Sequence, residues 1–159
     1  MEEVFLLIGG NLGNRKKNFE RAKLLIQEYC GNIVKSSSIY ETAAWGKMDQ
    51  PDFLNQVIEI ETNSDAKQLM KQILKVEKIM GRERNEKYGP RVIDIDILLF
   101  DHDVYDYPHL KIPHPELPNR RFALVPLNEI AADVRHPVLN KSISQLLEEC
   151  PDVLDVKKI

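Results

Sequence analysis

Hydrophobic and polar positions alternate along this chain in two clear periods. Val4-Phe5-Leu6-Leu7-Ile8 is a short apolar run closed by Gly9-Gly10, the pattern of a buried strand. After the polar stretch Asn11–Asn14, Phe19, Ala22, Ile26, Tyr29 and Cys30 recur at helical spacing, and Gly31 supplies a stop. Ile33–Tyr40, rich in β-branched residues and serine, reads as a strand. Phe53–Glu61 alternates Leu54, Gln56, Ile58 and Ile60 on one face with Phe53, Asn55, Val57 and Glu59 on the other. Ser64 is the expected N-cap of a second helix striped by Ala66, Leu69, Met70, Ile73, Val76 and Met80 and ended by Gly81. Val92–Phe100 is the strongest strand signal.

The order strand, helix, strand, strand, helix, strand predicts an α+β fold with a ferredoxin-like βαββαβ core, its sheet rich in antiparallel pairs and both helices on one face. Beyond Asp101, the prolines at 108, 113, 115, 118 and 126 predict only short elements until a late helix over Ser142–Glu149, stopped by Pro151. No linker or fixed-period repeat divides the chain, so residues 1–159 are expected to form one domain. Two connections, Glu41–Asp52 and Arg82–Arg91, are long for a compact domain, which marks them as candidate functional loops.

Composition narrows the classes. With 159 residues, 43% apolar and 30% charged, the chain can build a sizeable core. The net charge of −3 argues against coating nucleic acid or anionic lipid by bulk charge. The acidic start and the absence of a long apolar run predict neither a secretory leader nor a membrane span. The two distant cysteines, Cys30 and Cys150, predict reduced thiols rather than a disulfide framework. A cytoplasmic protein, expected as a monomer, follows.

The candidate chemistry begins at Asp94 and Asp96. On a strand they share one face, about 6–7 Å apart, while Ile93, Ile95, Ile97 and Leu99 are expected to enter the core. Alone, the pair reads as an acidic, solvent-facing strand edge. The preceding loop changes that: Arg82, Arg84, Lys87 and Arg91 outnumber Glu83 and Glu86, leaving a local +2. Cations beside a carboxylate pair suit a polyphosphate bridged by a hard divalent ion. Phe53 and Phe122 offer flat rings that could sandwich a heterocycle, and Asn55 offers a donor and an acceptor to a ring edge. Taken singly, each Phe reads as core. His114, held between two prolines, could contact phosphate. The glycines at 9, 10 and 13 match no phosphate-loop or dinucleotide spacing, and they read as a structural turn.

Together these segments resemble the signature of the 6-hydroxymethyl-7,8-dihydropterin pyrophosphokinase family. The resemblance is carried by Lys87–Leu98, Ile8–Gly13, Tyr40-Glu41-Thr42, Gln50–Asn55, Pro113-His114-Pro115 and Asn119–Phe122. It implies a three-layer α-β-α arrangement and transfer of the β,γ-pyrophosphoryl group of ATP to the pterin hydroxymethyl group, releasing AMP. It further implies two Mg²⁺ held by Asp94 and Asp96, with Arg82 and Arg91 stabilising the transferring phosphates. Glu77, Arg84, Tyr88, Ile97, Lys111, His114 and Arg120 would lie on the nucleotide side. Thr42, Ala43, Ala44, Trp45, Phe53, Asn55 and Phe122 would lie on the pterin side. Tyr88 stands where the family usually has Trp, and Ala43 where it usually has Pro. Two other readings bear on the same residues. A two-metal nucleotidyltransferase would want a Gly-Gly turn close before the acidic pair, and a non-catalytic RNA-binding module would want aromatic strand motifs. Neither feature is present in that form.

Overall fold

The computed structural model describes residues 2–43, 51–81 and 92–159. Its elements are β1 (Glu2–Gly10), α1 (Arg15–Tyr29), β2 (Asn32–Ser36), β3 (Tyr40–Thr42), β4 (Phe53–Thr62), α2 (Ala66–Ile79), β5 (Asp94–Phe100), β6 (Tyr105–Tyr107), β7 (Leu110–Ile112), α3 (Arg121–Ala131), α4 (Ile143–Glu149) and β8 (Lys157–Lys158). Among the described residues, six strands form an antiparallel sheet in the order β5-β1-β4-β3-β8, with β2 also paired to β4. β6 and β7 make a separate hairpin. The central order is the one that the βαββαβ pattern predicts.

Two cores lie on opposite faces of the sheet. Phe19, Ala22 and Ile26 of α1, with Leu69, Ile73 and Val76 of α2, pack on Val4, Leu6, Ile8, Leu54, Ile58, Ile95 and Ile97. Phe5, Leu7, Val57, Leu98 and Leu99 pack beneath Leu124 and Leu127 of α3 and Ile143 and Leu146 of α4. Both faces of β1 and β4 are therefore covered, and each fully buried aliphatic side chain contributes about 1.5–3 kcal/mol relative to exposure. This is the three-layer α-β-α arrangement.

Four local expectations are corrected. Ile33–Tyr40 is two strands, because the regular ladder with β4 ends at Ser36, with Ser37 still bonded to Val57, and resumes at Tyr40. The N-cap of α2 is Asp65, whose carboxylate accepts from the Gln68 N–H at 2.8 Å, rather than Ser64. Leu99 does not join Ile93, Ile95 and Ile97: a bulge pairs Phe5 with Leu99 but Leu6 with Ile97, so Leu98 is extra and Leu99 turns to the α3 side. The prolines do not confine the region after Asp101 to short elements, since α3 runs through Pro126. Pro126 cannot donate to the Phe122 carbonyl, a defect that costs about 3 kcal/mol in a helix interior. Burial of Ala123, Leu124, Pro126, Leu127 and Ala131 on the sheet offsets it.

Gly81 ends α2 at φ +84, a backbone conformation that side chains rarely adopt. The late helix occurs as expected, with Ser142 and Gln145 forming a reciprocal capping box.

Candidate active site

The polar end of the α3-side face is assembled across three strands. Gly9 of β1 lies opposite Asp94 of β5 on one side and Asn55 of β4 on the other; Leu7 lies between Asp96 and Val57 in the same way. Cross-strand neighbours share a face, so Asp94, Gly9 and Asn55 form one row and Asp96, Leu7 and Val57 the next. A Cβ on Gly9 would sit 2.9 Å from Asn55 Oδ1. The glycine thus lets the Asn55 carboxamide lean over bare backbone and leaves a floor between Asn55 and Asp94, whose strands are two spacings, about 9–10 Å, apart.

Asp94 and Asp96 are half-buried. Among the described residues no group of three or more His, Cys, Asp or Glu side chains converges as a metal site. The pair instead offers hard oxygen donors from one side only. That donor set fits Mg²⁺, which binds through one or two carboxylates and fills its remaining positions with water and phosphate oxygens.

Glu77, which the resemblance places on the nucleotide side, stands at β5. Its buried carboxylate accepts the Ile95 N–H at 2.8 Å, between the two aspartates. β5 is an edge strand, and Glu77 satisfies one of the donors its outer side exposes. Ile97 is likewise a core residue among the α1 and α2 side chains, which leaves only its backbone for a ligand.

A second wall comes from residues 113–122. The His114 N–H donates to the Leu98 carbonyl at 3.0 Å, tying this segment to β5. His114 Nδ1 accepts from the Glu116 N–H at 3.1 Å, so in the neutral ring the proton sits on Nε2 as a donor. Burial, then the Arg120 charge, hold the His114 pKa below its ordinary value, against smaller opposing effects of Glu116 and Asp94. A 3-10 turn over Leu117–Asn119 delivers Arg120, whose guanidinium stands 5.7 Å from the Phe122 ring centroid. α3 begins there without a local side-chain cap; Asp152, from the C-terminal segment, accepts the Arg121 N–H at 3.1 Å.

The far side of the floor is the β3–β4 ladder, in which Thr42 lies opposite Phe53 and Tyr40 opposite Asn55. Thr42 and Asn55 are buried, Phe53 is half-buried and Ala43 is exposed. Glu129 of α3 holds this ladder from above. Its carboxylate accepts from the Tyr40 hydroxyl at 2.6 Å and from the Ser38 N–H and hydroxyl. Burial raises the Glu129 pKa, but those hydrogen bonds outweigh it and hold the carboxyl below the usual range; burial and Glu129 push the Tyr40 phenol up to about 12.

Asp94, Asp96, Asn55, His114, Arg120 and Phe122 are therefore brought to one side of the sheet, with Thr42 and Phe53 on the ladder beside them. Lys111 lies on the β6–β7 hairpin, exposed and 3.5 Å from Asp106. Arg82, Arg84, Tyr88, Arg91, Ala44 and Trp45 lie outside the described residues. Gly9, Glu129 and Asp152 join the site without a motif that marks them as part of it. Gly9 had a signal, an apolar strand ending in glycine, but only the register shows what it opposes. A depression of about 300 Å³ near Cys30 and Thr62 lies away from this floor, and burial pushes the Cys30 thiol up to about 12, which makes it inert.

Comparison with known proteins points the same way. Residues 5–132 match the family model described as 7,8-dihydro-6-hydroxymethylpterin-pyrophosphokinase. The 2-amino-4-hydroxy-6-hydroxymethyldihydropteridine pyrophosphokinase of Aquifex aeolicus is 40% identical over 94% of this chain and 92% of its own length. The Bacillus subtilis protein of the same name is 34% identical over 89% and 86%. Among solved structures, Plasmodium falciparum HPPK-DHPS with pteroate superposes with a TM-score of 0.76 at 18% identity, a likeness of fold. It covers 93% of this chain, which spans only 42% of that longer one.

Proposed function

The chain belongs to the 7,8-dihydro-6-hydroxymethylpterin-pyrophosphokinase family, and on that premise we propose that the floor between Asp94 and Asn55 is where it works. There it moves the β,γ-pyrophosphoryl group of ATP to 6-hydroxymethyl-7,8-dihydropterin in folate synthesis. The pterin hydroxymethyl oxygen forms a bond to the β-phosphorus and gives up its proton to water, the bond from that phosphorus to the oxygen on the α-phosphorus breaks, and AMP leaves. One observation carries this assignment: Asp94 and Asn55 flank the same glycine on one face, so a phosphate-binding edge and a ring-reading edge share a floor.

Asp94 and Asp96 would hold two Mg²⁺, which when bound would offset charge on the phosphate oxygens. Arg82 and Arg91 stabilise the group in transfer, as the local positive charge of residues 82–91 supports. His114, kept neutral, donates from Nε2 to a phosphate oxygen, and Arg120 adds fixed positive charge beside it. Arg84, Tyr88 and Lys111 serve the nucleotide side, with Ile97 contributing main chain. Glu77 also lies on the nucleotide side and aims the aspartate strand by holding the Ile95 N–H. Phe53 and Phe122 stack on the pterin, while Asn55, Thr42 and the main chain of residues 43–45 read its edge. The overall charge of −3 argues against binding nucleic acid or an anionic membrane by bulk charge, while the local positive charge of residues 82–91 suits small anionic substrates. Among the described residues, no helix is long and apolar enough to cross a membrane.

The test mixes the protein with Mg²⁺, ATP and the pterin and follows AMP. Pterin-dependent AMP is expected. Asp96→Ala should lower turnover on the order of a hundredfold or more, the scale for losing one electrostatic partner of a transition state, with the fold retained. Formation of ADP, or full turnover in that variant, would overturn the assignment.

A further inference from the structure

The turn between β1 and α1 reaches across to the pterin-side ladder. Arg15, the first residue of α1, places Nη1 2.6 Å from Glu41 Oε2 and 2.9 Å from the Asp52 carbonyl oxygen. From the same turn, Asn11 Nδ2 donates to the Pro51 carbonyl at 2.9 Å. Glu41 immediately precedes Thr42, and Asp52 immediately precedes Phe53, which are partners in the ladder. A single guanidinium therefore joins the two strands just beside the Thr42–Phe53 rung.

We propose that Arg15 is a positioning residue for the pterin: by bridging Glu41 and Asp52 it fixes where the Phe53 ring stands relative to Asn55. The inference rests on the assignment of Phe53 and Asn55 to the pterin. Strand ends open more readily than strand centres, and β3 has only three residues to resist this. The side chains of Arg15 and Glu41 remain 31% and 30% exposed, so the pair adds little to global stability. What it supplies is local: a charged donor with two acceptors, one on each strand. On this reading Arg15 acts through the rung, by its contacts with Glu41 and Asp52. Its loss should therefore appear in pterin affinity, not in ATP affinity or in the chemical step.

Steady-state kinetics with each substrate varied, together with thermal unfolding, test this on the full chain. Arg15→Ala should raise the pterin KM about five- to tenfold, with kcat and the ATP KM within about twofold, the signature of lost ground-state binding. Arg15→Lys, which keeps the charge on a shorter reach, should recover part of that loss. Glu41→Gln should raise the pterin KM in the same direction, and combining it with Arg15→Ala should add little, because the two act through one contact. An unchanged pterin KM alongside a lowered melting temperature overturns the proposal and leaves Arg15 merely structural; additive effects of the two substitutions also overturn it. Should Arg15→Ala fail to fold, Arg15→Lys and Glu41→Gln decide by the same criterion. Phe53→Ala, measured in parallel, separates the two layers. If it leaves pterin binding intact, the site assignment fails, and Arg15 with it. If it weakens binding while Arg15→Ala does not, Arg15 alone is refuted.

Discussion

Gly9→Ala isolates the geometry of the floor. The added Cβ would lie 2.9 Å from Asn55 Oδ1 and 3.7 Å from the Leu54 carbonyl oxygen, so only the Asn55 side chain must give way. Shifting that carboxamide by a few tenths of an ångström, or turning it off its rotamer, costs about 0.5–1.5 kcal/mol. Gly9 is not among the residues with positive φ, so alanine fits its backbone, and replacing glycine in a strand returns about 0.5–1 kcal/mol. The two nearly cancel, and the stability should stay within about 1 kcal/mol of the parent. Ligand binding has no such compensation. A re-aimed Asn55 leaves pterin donors and acceptors unpaired, at about 1–3 kcal/mol, or about 5- to 150-fold in Kd. Pterin fluorescence titration and urea unfolding on the same preparation measure both quantities. A pterin Kd within twofold of the parent would refute the role of Asn55. A loss of stability beyond about 3 kcal/mol would refute the claim that the clash is confined to one side chain.

Two further outcomes follow from elements around the site. His136 is buried, and its Nδ1 accepts the N–H groups of Val138 and Leu139 at 3.2 and 3.1 Å, while burial lowers its pKa. The unfolded chain therefore takes up this proton first, so its contribution is complete above the unfolded value near 6.5 and is lost as pH falls through the lower folded value. Melting temperatures between pH 7 and 5 should show the decline, and His136→Asn, which keeps an acceptor, should flatten it; an unaltered slope would exclude His136. Asp152→Ala removes the acceptor at the start of α3 and should cost about 0.5–2 kcal/mol in urea unfolding, whereas Asp152→Asn should recover most of it. Equal losses in the two variants would show that the hydrogen bond to Arg121 is not the cause.

The legible parts of this fold are those whose signal is local and repeated. Phe19, Ala22 and Ile26 in α1, the Leu69–Ile73–Val76 stripe in α2 and the alternation along β4 each carry a period of their own, and all appear as read. α3 is not legible in the sequence because its start is capped by Asp152, 31 residues away, and because Pro126 inside it is offset only by packing on the sheet. Leu99 faces α3 rather than α1 and α2 because a single bulge reverses strand parity, and nothing in Ile97-Leu98-Leu99 marks it. The contact of Glu77 with the Ile95 N–H is likewise invisible in the sequence, because it joins two distant elements.

The sequence by itself determines the order of core elements, the shared face of Asp94 and Asp96, and, through several motifs at matching spacing, the family and its reaction. These are properties of neighbours along the chain, where side-chain direction follows from period alone. Only the tertiary structure decides that Gly9 stands between Asp94 and Asn55, that Arg15 grips the ends of two strands, and that Glu129 and Asp152 brace the ladder and α3. Each of those depends on strand register or on contacts between distant segments. Many folded arrangements of the same local periods would leave the elements intact and these pairings unmade.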